Sequence, residues 1–264
     1  MPRWDPRQYL RHADHRTRPF TDLLARVPAL PARGRPARIA DLGCGPGNAT
    51  ALLADRWPGA YITGLDNSAD MLREAAALAG PAPGGGRLDF AHADLADWVP
   101  DEPYDLIVSN AALQWVPGHA AAFAAWTRGL VPGGVLAFQV PGNGDAPSHT
   151  LLRELCAERL GPAGRRTNEV LAPAEYLAGL TALGCAVDAW ETTYVQVLPG
   201  EDPVLDWMKG TTLRPVLTAL ADDPAATEEF LTTYAARLRT AYPAGPQGTV
   251  FPFRRVFVVA TTPE

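Results

Sequence analysis

The sequence predicts an α/β protein, a mostly parallel sheet with helices on both faces. Short apolar runs alternate with helix-spaced segments from Pro36 to Val140, and repeated β-α alternation in one direction builds a parallel sheet. The first run ends in Gly43-Cys44-Gly45-Pro46-Gly47, the kind of tight strand-to-helix turn found at the ligand edge of such sheets. The last two β-like runs, Cys185–Leu198 and Phe251–Thr261, are separated by a helical stretch. That pair fits an antiparallel edge.

Each element follows from its residues. Ala37–Leu42 is apolar and runs into glycines, which predicts a buried strand. Ala51, Leu52, Leu53 and Ala54 are spaced for a helix over 48–57, stopped by Pro58. Ala60–Leu65 is the second strand, and Ser68 is placed to cap a helix over 68–79. Gly80–Gly86 reads as a flexible surface loop. Leu88–Ala93 and Leu106–Ser109 are the third and fourth strands. A helix over 119–130, closed by Pro132-Gly133-Gly134, leads to a fifth at Val135–Val140. Further helices are expected over 150–160, 173–183, 204–220 and 225–242. The last two leave from the carboxyl end of a strand, where open α/β sheets bind ligands. They are therefore expected to act as a lid.

Composition narrows the function. With 264 residues, 47% apolar and 20% charged, the chain has globular proportions. Lys+Arg 23 against Asp+Glu 29 leaves −6, which argues against a nucleic-acid partner. The first twenty residues are studded with Arg and Asp, unlike a signal peptide. No apolar run reaches the roughly 20 residues of a membrane span. Cys44, Cys156 and Cys185 are odd in number and far apart, excluding a disulfide framework or a Cys-x-x-Cys zinc site. A reduced, cytoplasmic protein is expected. His12, Asp14 and His15 lack a fourth partner, so no metal is expected.

The strand ends carry the chemistry. Asp41, two residues before the first glycine, suits a ligand with a cationic group. The third glycine of a dinucleotide fingerprint would fall on Asn48. Asp66 ends the second strand, where a carboxylate can accept from two ribose hydroxyls. Asp94-Leu95 at the third suits an adenine amino group and ring, and Asn110 ends the fourth. Each acid alone also reads as a loop cap. Polar residues at four consecutive strand ends point to one ligand.

These motifs resemble the S-adenosylmethionine-dependent methyltransferases with the seven-stranded Rossmann-like fold. Within them, the chain is similar to the trans-aconitate 2-methyltransferase family over nearly its whole length. The resemblance is carried by Trp4-Asp5-Pro6, Arg16-Thr17-Arg18-Pro19-Phe20, Asn110-Ala111-Ala112-Leu113-Gln114-Trp115-Val116-Pro117-Gly118-His119, Leu213-Arg214-Pro215 and Phe251-Pro252-Phe253-Arg254-Arg255. Asn67 and Ala69-Asp70 depart from the family's usual residues. The resemblance implies cofactor contacts at Asp41, Gly43, Cys44, Gly45, Gly47, Asp66, Asn67, Met71, Asp94, Leu95 and Asn110. Substrate contacts are expected from Tyr9, Arg16, Arg18, Trp115, His119, Tyr194, Arg214 and Arg254. His119 reads equally as a helix cap. Arg254 and Arg255 are strand neighbours, so at most one faces a pocket.

The implied organisation is one domain over 1–264. It comprises a helical cap at 1–35, a cofactor-binding half at 36–142, the rest of the core at 143–198 and 249–264, and a lid at 199–248. The implied reaction is methyl transfer to a carboxylate of a small polycarboxylate. An acid already ionised near neutral pH needs no general base, so no catalytic side chain is expected. Arginines suit such a substrate because they bind carboxylates bidentately. Two alternatives stay open: methylation of another small acid, or a regulator that binds the cofactor without turnover. A monomer is compatible with the sequence.

Overall fold

The computed structural model describes residues 13–161 and 170–264, with side chains from residue 17 onward. Its first helix, α1, is Ala13–Arg26. The elements β1 (Arg38–Leu42), α2 (Asn48–Arg56), β2 (Tyr61–Asp66) and α3 (Ala69–Ala75) follow. Next come β3 (Gly80–Pro81), β4 (Arg87–His92), β5 (Tyr104–Asn110), α4 (Phe123–Arg128) and β6 (Leu130–Pro141). The chain continues with α5 (Pro147–Leu160), α6 (Pro173–Ala182) and β7 (Ala186–Leu198). It closes with α7 (Pro203–Lys209), α8 (Arg214–Ala219), α9 (Pro224–Ala241), β8 (Ala244–Gly245) and β9 (Gly248–Thr261).

The sheet order is β3-β4-β2-β1-β5-β6-β9-β7, with β8 paired to β9. Strands β4, β2, β1, β5 and β6 are parallel, whereas β9 runs antiparallel to β6. Setting aside the two-residue β3 and β8, the expected seven-stranded, mostly parallel α/β sheet is what forms. Its middle is apolar because parallel strands are covered on both faces. Every residue of β5 except terminal Asn110 is buried.

Two compact units divide the described residues. The larger holds 14–141, 170–192 and 255–264, and the smaller 142–161 and 193–254. In the larger, Phe123, Trp126, Phe138 and Tyr176 form an aromatic cluster with centroids 5.1–6.1 Å apart. In the smaller, Trp207, Phe230, Tyr234, Phe251 and Phe253 are buried with Leu152 and Leu155 of α5. Tyr234 donates to the Ser148 carbonyl at 2.6 Å.

Three sequence expectations are corrected. Gly80–Gly86 is a built hairpin, because Gly80–Pro81 pairs with β4 and Ala82 N–H donates to Gly86 O at 2.9 Å. A Cβ on Gly86 would sit 2.3 Å from the Ala60 carbonyl, so glycine serves close packing here. The helix expected over 204–220 breaks at Gly210-Thr211-Thr212, giving α7 and α8. Pro215 fits only the first turn of a new helix. Pro132-Gly133-Gly134 does not precede the fifth strand but lies within it. The pairing shifts register between Tyr104↔Leu130 and Leu106↔Val135.

Candidate functional site

The candidate cofactor-binding residues of the larger unit gather where β4, β2, β1 and β5 end side by side. After β1 the backbone turns through three left-handed glycines, Gly43, Gly45 and Gly47 (φ 76, 56 and 84°). Their needs differ. A Cβ at Gly43 would meet the Ala112 Cβ at 2.2 Å, and one at Gly47 the Phe90 ring at 2.8 Å. Nothing lies within 4 Å of a Cβ at Gly45, so open space faces the middle of the loop. Cys44 is buried, and burial pushes its thiol up, away from nucleophilic use. It fills space.

Asp41 is 1% exposed. One carboxylate oxygen accepts the Thr50 hydroxyl at 2.7 Å, and the other, Oδ1, is buried with no hydrogen-bond partner among the described residues. Burial raises its pKa to about 7 against the opposing Thr50 bond, and nearby Asp66 adds to the rise. A buried acceptor left open in this way fits a cationic ligand group.

Asp66 is organised by the backbone. Oδ2 accepts Gly45 N–H at 2.9 Å and Oδ1 accepts Ser68 N–H at 2.8 Å, leaving further lone pairs on both oxygens. Burial raises its pKa, and the bonds from Ser68, Gly45 and Asn67 oppose the rise. Ser68 caps α3 as expected, accepting Met71 N–H at 3.4 Å; Met71 is buried and Asn67 exposed. Asp94 caps its own turn through Ala96 N–H at 3.0 Å, beside buried Leu95. Both readings of this acid are compatible, since one oxygen suffices for the cap.

Asn110 accepts from Gln139 Nε2, and Gln139 accepts Arg255 Nη1 at 3.2 Å. Behind it, Ala111 holds φ 55°, costly for a residue with a Cβ. Its N–H donates to Gln139 O at 2.9 Å and its carbonyl accepts Gln114 Nε2 at 2.6 Å. Sequence reasoning missed Thr50, Gln114 and Gln139. Only Gln139 left a signal, a polar residue inside the apolar run Leu136–Val140.

The expected substrate residues that are described divide between the two units. His119 is 2% exposed, with Nε2 2.8 Å from the Tyr176 hydroxyl and Nδ1 3.3 Å from Val116 O. A carbonyl only accepts, so Nδ1 carries the proton and Tyr176 donates to Nε2. Trp115 is half-buried in a short 3-10 turn and Arg18 is exposed on α1. Tyr194, Arg214 and Arg254 belong to the smaller unit. There Tyr194 is buried, Arg214 is half-buried on α8, and Arg254 donates to Gly142 O at 3.0 Å. Arg255, its strand neighbour, is buried in the larger unit. Tyr9 lies outside the described residues, and the Arg16 side chain is not among those described; the same holds for His12, Asp14 and His15 as ligands. No His/Cys/Asp/Glu group that could hold a metal occurs among the described residues. No described helix is long and apolar enough to cross a membrane.

Residues 39–134 match a family described as a methyltransferase domain. The chain is 66% identical to a trans-aconitate 2-methyltransferase of Streptomyces avermitilis, covering 98% of this chain and 97% of that one. A trans-aconitate 2-methyltransferase of Rhodococcus jostii is 48% identical over 97% and 98%. Among solved structures, YcgJ of Bacillus subtilis superposes with a TM-score of 0.56 at 16% identity, covering 95% of this chain and 99% of that one. Haemonchus contortus phosphoethanolamine N-methyltransferase 2, in complex with S-adenosyl-L-methionine, gives 0.56 at 18% identity, covering 94% and 53%. These two share the fold.

Proposed function

The chain belongs to the trans-aconitate 2-methyltransferases, a family of S-adenosylmethionine-dependent enzymes, and from that premise we propose that it methylates a carboxylate of trans-aconitate. The products are the monomethyl ester and S-adenosylhomocysteine. The observation that carries the site is the line of strand ends β4-β2-β1-β5, with Asp94, Asp66, the glycine loop and Asn110 in that order. The residues present fit the cofactor. The open Asp41 Oδ1 suits its ammonium, Asp66 its ribose, and Gly45 its close approach.

When bound, S-adenosylmethionine supplies an electrophilic methyl group on a sulfonium. Asp66, held by two backbone N–H groups, needs no reorganisation to receive hydroxyls. Asp94 and Leu95 are assigned to the base. No residue of the chain takes a proton, because the accepting carboxylate is ionised near neutral pH. The protein's work is orientation, which supplies about 7–11 kcal/mol in well-aligned reactions. Arg18, Arg214 and Arg254 are the cations assigned to the substrate's carboxylates.

The test is incubation of the purified chain with S-adenosylmethionine and a panel of small polycarboxylates, read by mass spectrometry. A mass gain of one methyl group on trans-aconitate, outrunning the other acids, is expected. Faster methylation of a different acid would replace the substrate. No methylation of any acid would leave a cofactor-binding protein without this activity.

A further inference from the structure

We propose that Arg255 and Gln139 are positioning residues. Through a one-way chain of hydrogen bonds, they turn the Asn110 amide so that Nδ2, a donor, faces a ligand carboxylate. This rests on reading the strand ends as the S-adenosylmethionine site.

The chain starts at a residue that can only donate. Arg255, 4% exposed, gives Nη1–H to Gln139 Oε1 at 3.2 Å, and a guanidinium has no acceptor. Gln139 is fully buried, so with its oxygen taken, its Nε2 must point the other way and donate. The group that it meets is Asn110 Oδ1. Asn110 is thereby left with Nδ2 turned away from Gln139, with no protein partner among the described residues. Carbonyl and amide ends of Asn and Gln are close in shape, so a lone pair of amides could flip together. The arginine removes that freedom.

Register explains why these residues meet. Gln139 is opposite Asn110 in the β5–β6 pairing, and Arg255 is opposite Pro141 in the β6–β9 pairing. Gln139 also holds the next peptide through its backbone, accepting Ala111 N–H at 2.9 Å. Ala112 in turn lies where a Cβ on Gly43 would fall. The donor is thus fixed at the end of β5, beside the glycine loop. A fixed N–H donor with no protein acceptor is suited to an anionic oxygen. Two carboxylates qualify, that of the cofactor's methionine portion and that of the substrate.

Gln139→Glu tests the polarity. Glutamate keeps the shape and gains charge complementarity with Arg255, but it has no N–H. Asn110 must then donate Nδ2 inward and present Oδ1 to the ligand. Carboxylate binding is expected to fall roughly 10- to 150-fold, the range for a lost hydrogen bond to a charged group. Gln139→Leu, which only frees the amide, is expected to lose less, although it disturbs packing more. A purely structural role for Gln139 predicts the reverse ranking.

The source of the carboxylate is read by calorimetry with S-adenosylhomocysteine and by steady-state kinetics with trans-aconitate. Weaker S-adenosylhomocysteine binding assigns the cofactor's carboxylate. Unchanged binding with raised KM and nearly constant kcat assigns the substrate's. In an Asn110→Ala background the Gln139→Glu effect should vanish. An equal loss in that background, or a Gln139→Glu protein with wild-type binding and kinetics, overturns the proposal. The side-chain amide resonance of Asn110 gives a readout that does not need turnover. It should shift in the wild type on adding S-adenosylhomocysteine or trans-aconitate, and not in Gln139→Glu. If the wild type made no ester, the substrate reading would fall while this titration still judged the relay. No shift with either ligand overturns it.

Discussion

Asp66 accepts the N–H of Gly45 at 2.9 Å, so the acid that ends β2 also holds the middle of the loop that follows β1. The carboxylate proposed for the ribose and the loop beside it are thus one object. Asp66→Ala should therefore lose more than its ligand bonds, each worth about 1.5–3 kcal/mol. S-adenosylhomocysteine affinity should fall by two or more powers of ten in calorimetry, roughly the product of two such bonds. Asp66→Asn keeps an acceptor for Gly45 and should lose less. Equal losses would mean that the loop contact contributes nothing.

Two of the loop glycines, Gly43 and Gly45, should separate by phenotype. Gly43→Ala drives a methyl into Ala112 and should destabilise the fold by about 1–3 kcal/mol through overpacking, besides the strain of its positive φ. Gly45→Ala meets no protein atom, so denaturant unfolding should show only the strain, roughly 1 kcal/mol. Its methyl enters the space assigned to the cofactor, and S-adenosylhomocysteine binding should be the larger loss. A Gly45→Ala variant with full affinity would move the cofactor away from the loop.

His119→Ala should act on stability alone. It empties a site beside Phe123 and Tyr176 and strands the Tyr176 hydroxyl bond, costing about 2–4 kcal/mol. KM for trans-aconitate, measured well below the melting temperature, should stay within a factor of two or so of wild type, since both ring nitrogens face groups of the chain. A large rise in KM at unchanged stability would restore the substrate role.

What the sequence disclosed depended on how local the cause was. β1 and β5 were readable because burial on both faces writes a continuous apolar run, and Ser68 because a cap acts within three residues. Asp41, Asp66, Asp94 and Asn110 were readable as strand-end polar residues. Thr50 was not, because its bond to Asp41 depends on how α2 turns back over β1. The partner of His119 was hidden for the same reason: Tyr176 is 57 positions away, and only the packing of α6 brings the two rings together. The break at Gly210 was written in the residues, but an apolar pattern continuing on both sides hid it.

Asp41 contributes one part of the pH dependence. Its carboxyl titrates near 7 in the folded chain, against 3.8 as a free side chain. At this carboxyl the folded state therefore holds a proton that the unfolded state releases between about pH 4 and pH 7. The carboxyl's contribution to stability falls as pH rises through that window, opposed by His149, whose pKa burial lowers to about 4. Above pH 7 the loss is complete, and below pH 4 it is absent. Ligand binding runs the opposite way. A cationic group is favoured by the carboxylate form, so S-adenosylhomocysteine affinity should rise from pH 5.5 to 7.5, by at most about tenfold per unit, and then level off. Asp41→Asn should remove this group's share of both slopes, keep the Thr50 contact through its carbonyl, and bind with lower affinity at pH 8. Calorimetry across pH on both proteins, paired with urea unfolding of the free forms, measures the two slopes separately. A wild-type affinity that is flat over this range, or a slope that is unchanged in Asp41→Asn, would take the ammonium away from Asp41.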